Sequence, residues 1–142
     1  MINPRNGWVY NTNDGPWWAA GANSPVKSAF PRYMDAFGQS TRTLHALRVL
    51  EGRTGFTLQG LIDAAYDPYL PVFAGLIPDL LAAYDALPSD DPLKASLANP
   101  VGALRNWDFK WSAASVPTTL AVTWGDVAWA QNAPNARPGR MA

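Results

Sequence analysis

The sequence has 142 residues, 11 basic and 11 acidic side chains, and no cysteine. A net charge of zero gives no electrostatic attraction to nucleic acid, and the absence of cysteine excludes disulfides, thiolate catalysis and cysteine-bound zinc. Charged residues make up 15% of the chain, below the roughly 25% usual in globular domains. We therefore expect a surface that is partly covered. No run of about 18 apolar residues occurs, so no membrane partner is expected.

Residues 7–12, with the sequence GWVYNT, are predicted to form an N-terminal β-strand. Aromatic and β-branched residues fill this segment, and turn-forming residues flank it on both sides. Asn11, Asn13 and Asp14 lie at its polar end. These side chains either end the strand through Asx-type turn bonds or support a nearby binding site.

Residues 15–39 are predicted to form a long loop, because the segment contains Pro25 and Pro31 and has no sustained hydrophobic period. Long aromatic loops usually lie over a core or against another domain. Trp17 and Trp18 therefore either pack in this way or line an apolar pocket for an acyl group. Further aromatic residues in the loop are Phe30, Tyr33 and Phe37.

About five helices are predicted over residues 40–131, so the fold class is mostly α, with the α+β character coming from the single strand. Each helix follows a capping residue or an Asp-Pro pair and carries an apolar period. The predicted starting signals are Ser40-Thr41, Thr57, Asp67-Pro68, Asp91-Pro92 and Ser115. Residues 132–142 contain no core residue and are predicted to be a disordered or peripheral tail.

Internal prolines are expected to disturb two of these helices. A proline has no N–H for the helical hydrogen bond, and its ring clashes with the preceding turn. We therefore predict a kink or restart at Pro78 and an interruption at Asn99-Pro100.

The residues by themselves indicate no catalytic or metal centre. His45 is the single histidine and lies on the flank of its predicted helix. Asp63 and Asp67 share a helix face and could act as an acid–base or ligand pair, but Asp67 is better explained as a helix cap. Neither a glycine-rich phosphate loop nor a G-x-S-x-G motif occurs. No cofactor and no metal is expected.

The stretch NPRNGWVYNTNDGPW, residues 3–17, resembles the N-P-x-x-G-x-x-x-N-x-N-x-x-P segment of the penicillin acylase (penicillin amidase) family. These N-terminal-nucleophile hydrolases include β-lactam acylases and acyl-homoserine lactone acylases. LANPVGALRNWD, residues 97–108, resembles the family helix that ends in L-x-x-W-D. The similarity extends over about residues 2–126, and the combination of the two motifs is specific to the family.

This resemblance implies an amide hydrolase of αββα fold, in which self-cleavage exposes a serine nucleophile. The serine uses its own α-amino group as base, while an Asn side chain and backbone N–H groups hold the oxyanion. In the family pattern these groups precede the N-P-x-x-G motif. We therefore expect an internal fragment of the large (β) chain, with residues 1–131 belonging to its domain, no catalytic residue of its own and no activity alone.

The resemblance also implies partners and a location. The partners are the small chain, the rest of the large chain and a small amide substrate, which could be a β-lactam used in antibiotic biosynthesis, an acyl-homoserine lactone or a related amide. Substrate-binding candidates are Asn11, Asn13, Asp14, Trp17 and Trp18. A periplasmic or secreted location follows, and the isolated fragment is expected to self-associate. The alternative is a non-catalytic helical module that binds a partner protein.

Overall fold

The computed structural model describes residues 3–34 and 38–132. The chain divides into two compact units, Met1–Asp67 and Pro68–Ala142. The described part is mostly helical, with five α-helices, as the fold class predicted. The predicted tail lies outside the described residues except for Asn132, which ends the last helix.

The first unit contains two α-helices, α1 at Thr41–Leu50 and α2 at Leu58–Ala65. Both predicted caps are confirmed: the Ser40 side chain accepts the Thr43 N–H, and Thr57 Oγ1 accepts the Gly60 N–H at 3.0 Å. The segment predicted as a long loop contains three short 3₁₀ helices. These are Pro16–Trp18, Gly21–Asn23 and Lys27–Ala29.

The predicted strand at residues 7–12 is absent from this structure. Tyr10 N–H donates to Ala19 C=O at 2.9 Å, and Gly7 N–H donates to Pro4 C=O at 2.9 Å, so single loop bonds hold the segment. A strand requires a neighbour that exchanges repeated backbone bonds with it, and no such neighbour lies beside these residues in the described part of the chain. The segment is therefore irregular, despite its strand-like composition.

The second unit contains α3 at Pro71–Asp85, α4 at Pro92–Arg105 and α5 at Val116–Asn132. Asp91 caps α4 as predicted, since its Oδ1 accepts the Leu93 N–H at 2.8 Å. The helices enclose one hydrophobic core, in which the rings of Phe73 and Trp107 lie 5.8 Å apart. The buried members of this core are Phe73, Ile77, Leu104, Trp107 and Ala121.

Helix α3 begins at Pro71, not at Asp67-Pro68 as predicted. The reason is that the preceding residues pair with another segment. Leu70 N–H donates to Phe109 C=O at 2.8 Å, and Trp111 N–H donates to Pro68 C=O at 3.0 Å. This antiparallel bridge engages the Pro68 C=O, which a helix starting at Pro68 would need as an acceptor for its own first turn.

Neither internal proline ends its helix: α3 continues through Pro78 without the restart that was one of the two predicted outcomes, and the predicted interruption at Pro100 is wrong. The kink at Pro78 stays a prediction. A proline inside a helix costs about 3 kcal/mol relative to alanine. Buried residues lie close to each proline, with Ile77 at 0% exposure next to Pro78 and Val101 at 5% next to Pro100. Burial of these neighbours against the core offsets the local cost.

None of the described helices has both the length and the apolar character that a membrane crossing requires.

Candidate functional site

A cavity of about 480 Å³ lies at the polar end of the segment that follows the N-P-x-x-G motif. Its walls come from residues 9–19 and from the first turn of α1, all within the first unit. The volume falls in the range of about 300–1,000 Å³ found for small-molecule sites. The lining residues are Val9, Tyr10, Asn11, Thr12, Asp14, Gly15, Pro16, Ala19 and Thr43.

Thr43 is the centre of a polar network on this wall. Its side chain is fully buried, with 0% exposure. Its hydroxyl donates to Asp14 Oδ2, and Thr12 Oγ1 lies 2.6 Å from the same hydroxyl oxygen. Because a hydroxyl has one proton to donate, the Thr12 hydroxyl must be the donor to Thr43. The bonds therefore run in one direction, from Thr12 through Thr43 to Asp14.

The Asp14 carboxylate lies at the N-terminus of α1. It accepts the backbone N–H of Ser40 at 2.9 Å in addition to the Thr43 hydroxyl. Burial by itself would raise the pKa of Asp14, but the bonds from Thr43 and Ser40 and the charge of Arg42 outweigh it and lower the pKa below its usual value. Asp14 is therefore ionised at neutral pH, where the helix dipole also favours a negative charge.

Asn11 and Asn13 form the Asx-type turn that the sequence offered as one alternative. Asn13 N–H donates to Asn11 Oδ1 at 2.6 Å, and Asn13 has a φ of +64°, which Asn tolerates better than most residues. Arg42 Nη1 donates to Asn13 Oδ1 at 3.1 Å. This bond occupies the oxygen end of the exposed Asn13 amide, so its NH₂ end can act as a donor.

The Tyr10 hydroxyl is a further polar group on the cavity wall. It is buried and has no hydrogen-bond partner among the residues that the structure describes. Thr43 lies near it without forming a hydrogen bond of normal geometry. Burial raises the pKa of Tyr10, the charges of Asp14 and Glu51 raise it further, and Thr43 opposes the shift. The cavity therefore carries a neutral phenol.

Trp17 and Trp18 do not line this cavity. Trp17 is buried with its ring 5.4 Å from the ring of Phe30, and the Lys27 amine lies 5.9 Å from the Trp17 ring centre. Trp18 is half-buried. Trp17 therefore packs within its own loop, and a pocket role for either tryptophan stays a prediction.

His45 and Asp67 form a second polar pair in the first unit, away from the cavity wall. His45 Nε2 lies 3.1 Å from Asp67 Oδ1, and both side chains are partly buried. Asp67 was predicted to cap the third helix, but that helix begins four residues later, at Pro71. Asp63 instead accepts a bond from Gln59 at 2.8 Å. Among residues 3–34 and 38–132, no group of three or more His, Cys, Asp or Glu could hold a metal ion.

The family model for penicillin amidase matches residues 1–136. Since the match extends over most of the chain, the chain belongs to the penicillin amidase family. Comparison with curated proteins and with solved structures gave no match. The resemblance carried by the N-P-x-x-G and L-x-x-W-D motifs is therefore confirmed.

The structure brings three of the predicted site residues together with two residues of α1 that the sequence did not single out. Asn11 and Asp14 line the cavity, and Asn13 lies between two lining residues. Thr43 and Arg42 contact this segment from α1, 29 residues away in the chain. The capping serine before them indicated only a helix start.

Proposed function

We propose that this chain forms part of the large chain of an N-acyl amide hydrolase, and that the cavity beside Asn13 and Asp14 belongs to its substrate site. Membership of the penicillin amidase family supports the hydrolase relationship. In this proposal residues 1–131 lie within one large-subunit domain of an αββα fold. Residues 7–12 would there gain the neighbouring strands that they lack in this structure.

The hydrogen bond from Arg42 to Asn13 is the observation that carries the proposal. It orients the Asn13 amide and polarises it, since the acceptor oxygen faces a guanidinium at 3.1 Å. We propose that the NH₂ group of Asn13 donates to the substrate carbonyl oxygen, which becomes negatively charged during attack on an amide. The proposed oxyanion donor is therefore a residue of the N-P-x-x-G-x-x-x-N-x-N motif. The family resemblance had led us to expect this donor before the motif.

The other site residues have supporting roles in this proposal. Asn11 holds the backbone of Asn13 through the Asx turn, and Asp14 joins the segment to α1. Trp17 and Trp18 remain proposed neighbours of the acyl group, since aromatic walls suit apolar acyl chains. The serine nucleophile and the small chain are supplied by the rest of a periplasmic or secreted enzyme, so the 142 residues alone do not hydrolyse amides.

The test compares the complete gene product with the 142-residue chain on a chromogenic acyl anilide, a β-lactam and an acyl-homoserine lactone. Only the complete product is expected to hydrolyse an amide. In that product, Asn13→Ala should lower kcat by about 10²- to 10³-fold, the loss typical for one oxyanion donor. Asn23→Ala, which removes an exposed Asn amide from the same unit, is the matched control and should leave kcat unchanged.

Two results would contradict this proposal. Hydrolysis by the 142-residue chain would show that it contains a complete catalytic centre. A kcat unchanged by Asn13→Ala would exclude the amide as an oxyanion donor.

A second candidate function is a protein-interaction module, and the exposed apolar face of α2 favours it. Leu58 is 78% exposed and Tyr66 is 82% exposed, and Leu61 and Ile62 lie between them on the helix. If the chain is a self-contained module, it should be a closed monomer or a symmetric oligomer in sedimentation experiments. If it is part of an acylase, its uncovered apolar surface should cause irregular self-association.

A further inference from the structure

Residues 12–14 of the loop contact residues 40–43 at the start of α1 through bonds of two kinds. The Arg42–Asn13 bond is exposed, so water competes with it and a long side chain must be ordered to form it. The bonds of Thr43 are less accessible to water, because Thr43 has 0% exposure while Thr12 and Asp14 are partly buried. A buried hydrogen bond is expensive to break, because the freed group finds no water. The buried bonds therefore determine the geometry of the loop.

A single hydroxyl oxygen contacts both neighbours of Asn13. Thr43 Oγ1 lies 2.6 Å from Thr12 Oγ1 on one side of Asn13 and donates to Asp14 Oδ2 on the other. Asn13 lies between Thr12 and Asp14 in the chain and has a left-handed φ of +64°, a conformation that costs energy for any residue with a side chain. Because both flanking residues bond to the same buried Thr43 hydroxyl, Asn13 is kept in this conformation.

From this arrangement we propose that Thr43 is a positioning residue for Asn13. The Thr43 hydroxyl holds Thr12 and Asp14 in place. The Asn13 side chain therefore stays within hydrogen-bonding distance of Arg42, and the orientation of its NH₂ group is fixed. The catalytic role of this NH₂ group rests on the proposed function. The positioning of Asn13 by Thr43 does not depend on it.

The first experiment measures the geometry without any substrate. Nuclear magnetic resonance relaxation of the Asn13 side-chain NH₂ in the complete gene product reports how well the amide is ordered. Thr43→Val, which keeps the shape and removes the hydroxyl, should lower its order parameter, and Thr43→Ser, which keeps the hydroxyl, should restore it. Thr41→Val changes a threonine in the same helical turn that does not line this cavity, and should have no effect.

The second experiment measures hydrolysis by the complete gene product. Thr43→Val should lower kcat by about 10- to 100-fold with little change in KM, because misplacement by about 1 Å can cost 10²-fold. Thr43→Ser should recover most of that loss. In the Asn13→Ala background Thr43→Val should have no further effect on kcat, since it acts only through the amide that has been removed.

The two experiments separate the two proposals. An Asn13 NH₂ group equally ordered in wild type and Thr43→Val would overturn the positioning role, whatever the hydrolysis shows. If no form hydrolyses an amide, the proposed function fails and the relaxation data still decide the positioning role. If Thr43→Val does not fold, Thr12→Val removes the Thr12–Thr43 bond from the loop side, leaves the Thr43–Asp14 bond, and should lower the order of the Asn13 NH₂ group in the same direction but to a smaller extent.

Discussion

The carboxylate of Asp14 accepts the backbone N–H of Ser40 at 2.9 Å, so a residue from the N-terminal motif helps to cap α1. Ser40 is itself the N-cap, and its side chain accepts the Thr43 N–H. Two of the N–H groups at this helix end are thus satisfied by two different segments. The consequence is that the start of α1 and the family motif form one structural feature, whose stability depends on the charge of Asp14.

Stability of this feature should depend on pH. The pKa of Asp14 is lower in the folded chain than its usual 3.8, so ionised Asp14 contributes stability that is present above the unfolded pKa. That contribution is lost as pH falls through the folded pKa. Urea unfolding followed from about pH 6 to about pH 2 should show this loss, and Asp14→Asn should reduce the slope in that range.

Asp85 provides the control for the pH experiment. Its pKa is also lowered, mainly by the bond from Arg105 at 2.6 Å, but it lies in the other unit and is exposed. Asp85→Asn should leave the pH dependence of the first unit unchanged. An identical pH slope for wild type and Asp14→Asn would contradict the assigned role of Asp14.

Replacing the internal proline of α3 should stabilise the second unit. Pro78 is exposed, and Pro78→Ala restores a helical N–H without disturbing the core. We expect a gain of about 1–3 kcal/mol in the free energy of unfolding, measured by thermal and chemical denaturation. Pro92→Ala is the control: Pro92 begins α4, where proline is compatible with the helix, so the change should have little effect.

Truncation of the core of the second unit should destabilise it strongly. Ile77 has 0% exposure and packs among Phe73, Leu104 and Trp107. Ile77→Ala should lower the free energy of unfolding by about 2–5 kcal/mol, through lost burial and the cavity that remains. The neighbouring Leu76 is 43% exposed, and Leu76→Ala should cost less than about 1 kcal/mol. Equal losses in the two variants would mean that the core lies elsewhere.

A glycine in the first unit should not tolerate a side chain. Gly21 has a φ of +52°, and a Cβ there would lie 3.1 Å from Trp8 Cη2 and 3.0 Å from Glu51 Oε1. Gly7 also has a positive φ, of +77°, but a Cβ at this position would meet nothing within 4 Å. Gly21→Ala should therefore cost about 1–3 kcal/mol more than Gly7→Ala, because both share the backbone strain and only one is crowded. Equal melting temperatures for the two variants would contradict this packing.

The features predicted correctly from sequence are those governed by neighbouring residues. Ser40, Thr57 and Asp91 were identified as helix caps, and each side chain accepts an N–H two or three residues later in the chain. The Asx turn between Asn11 and Asn13 is of the same kind. These bonds depend on side-chain chemistry and spacing alone, so a short stretch of sequence is enough to predict them.

The predictions that failed concern segments whose conformation depends on distant residues. Helix α3 begins at Pro71 and not at Pro68, because the residues before Pro71 pair with residues 109–111. Pro100 remains within α4 because its helix packs on a core. The strand at residues 7–12 did not form, since no neighbouring strand lies beside it in the described part of the chain.

The sequence by itself determined the family, through motifs read residue by residue, and most helix boundaries, through local caps. Only the tertiary structure decided that Thr43 is buried, that its hydroxyl contacts residues 12 and 14, and that a cavity lies beside them. The physical reason is the range of the interactions. A cap is formed within one turn of helix, whereas the Thr43 bonds join positions 29 and 31 residues apart and exist only after the loop and α1 have packed together.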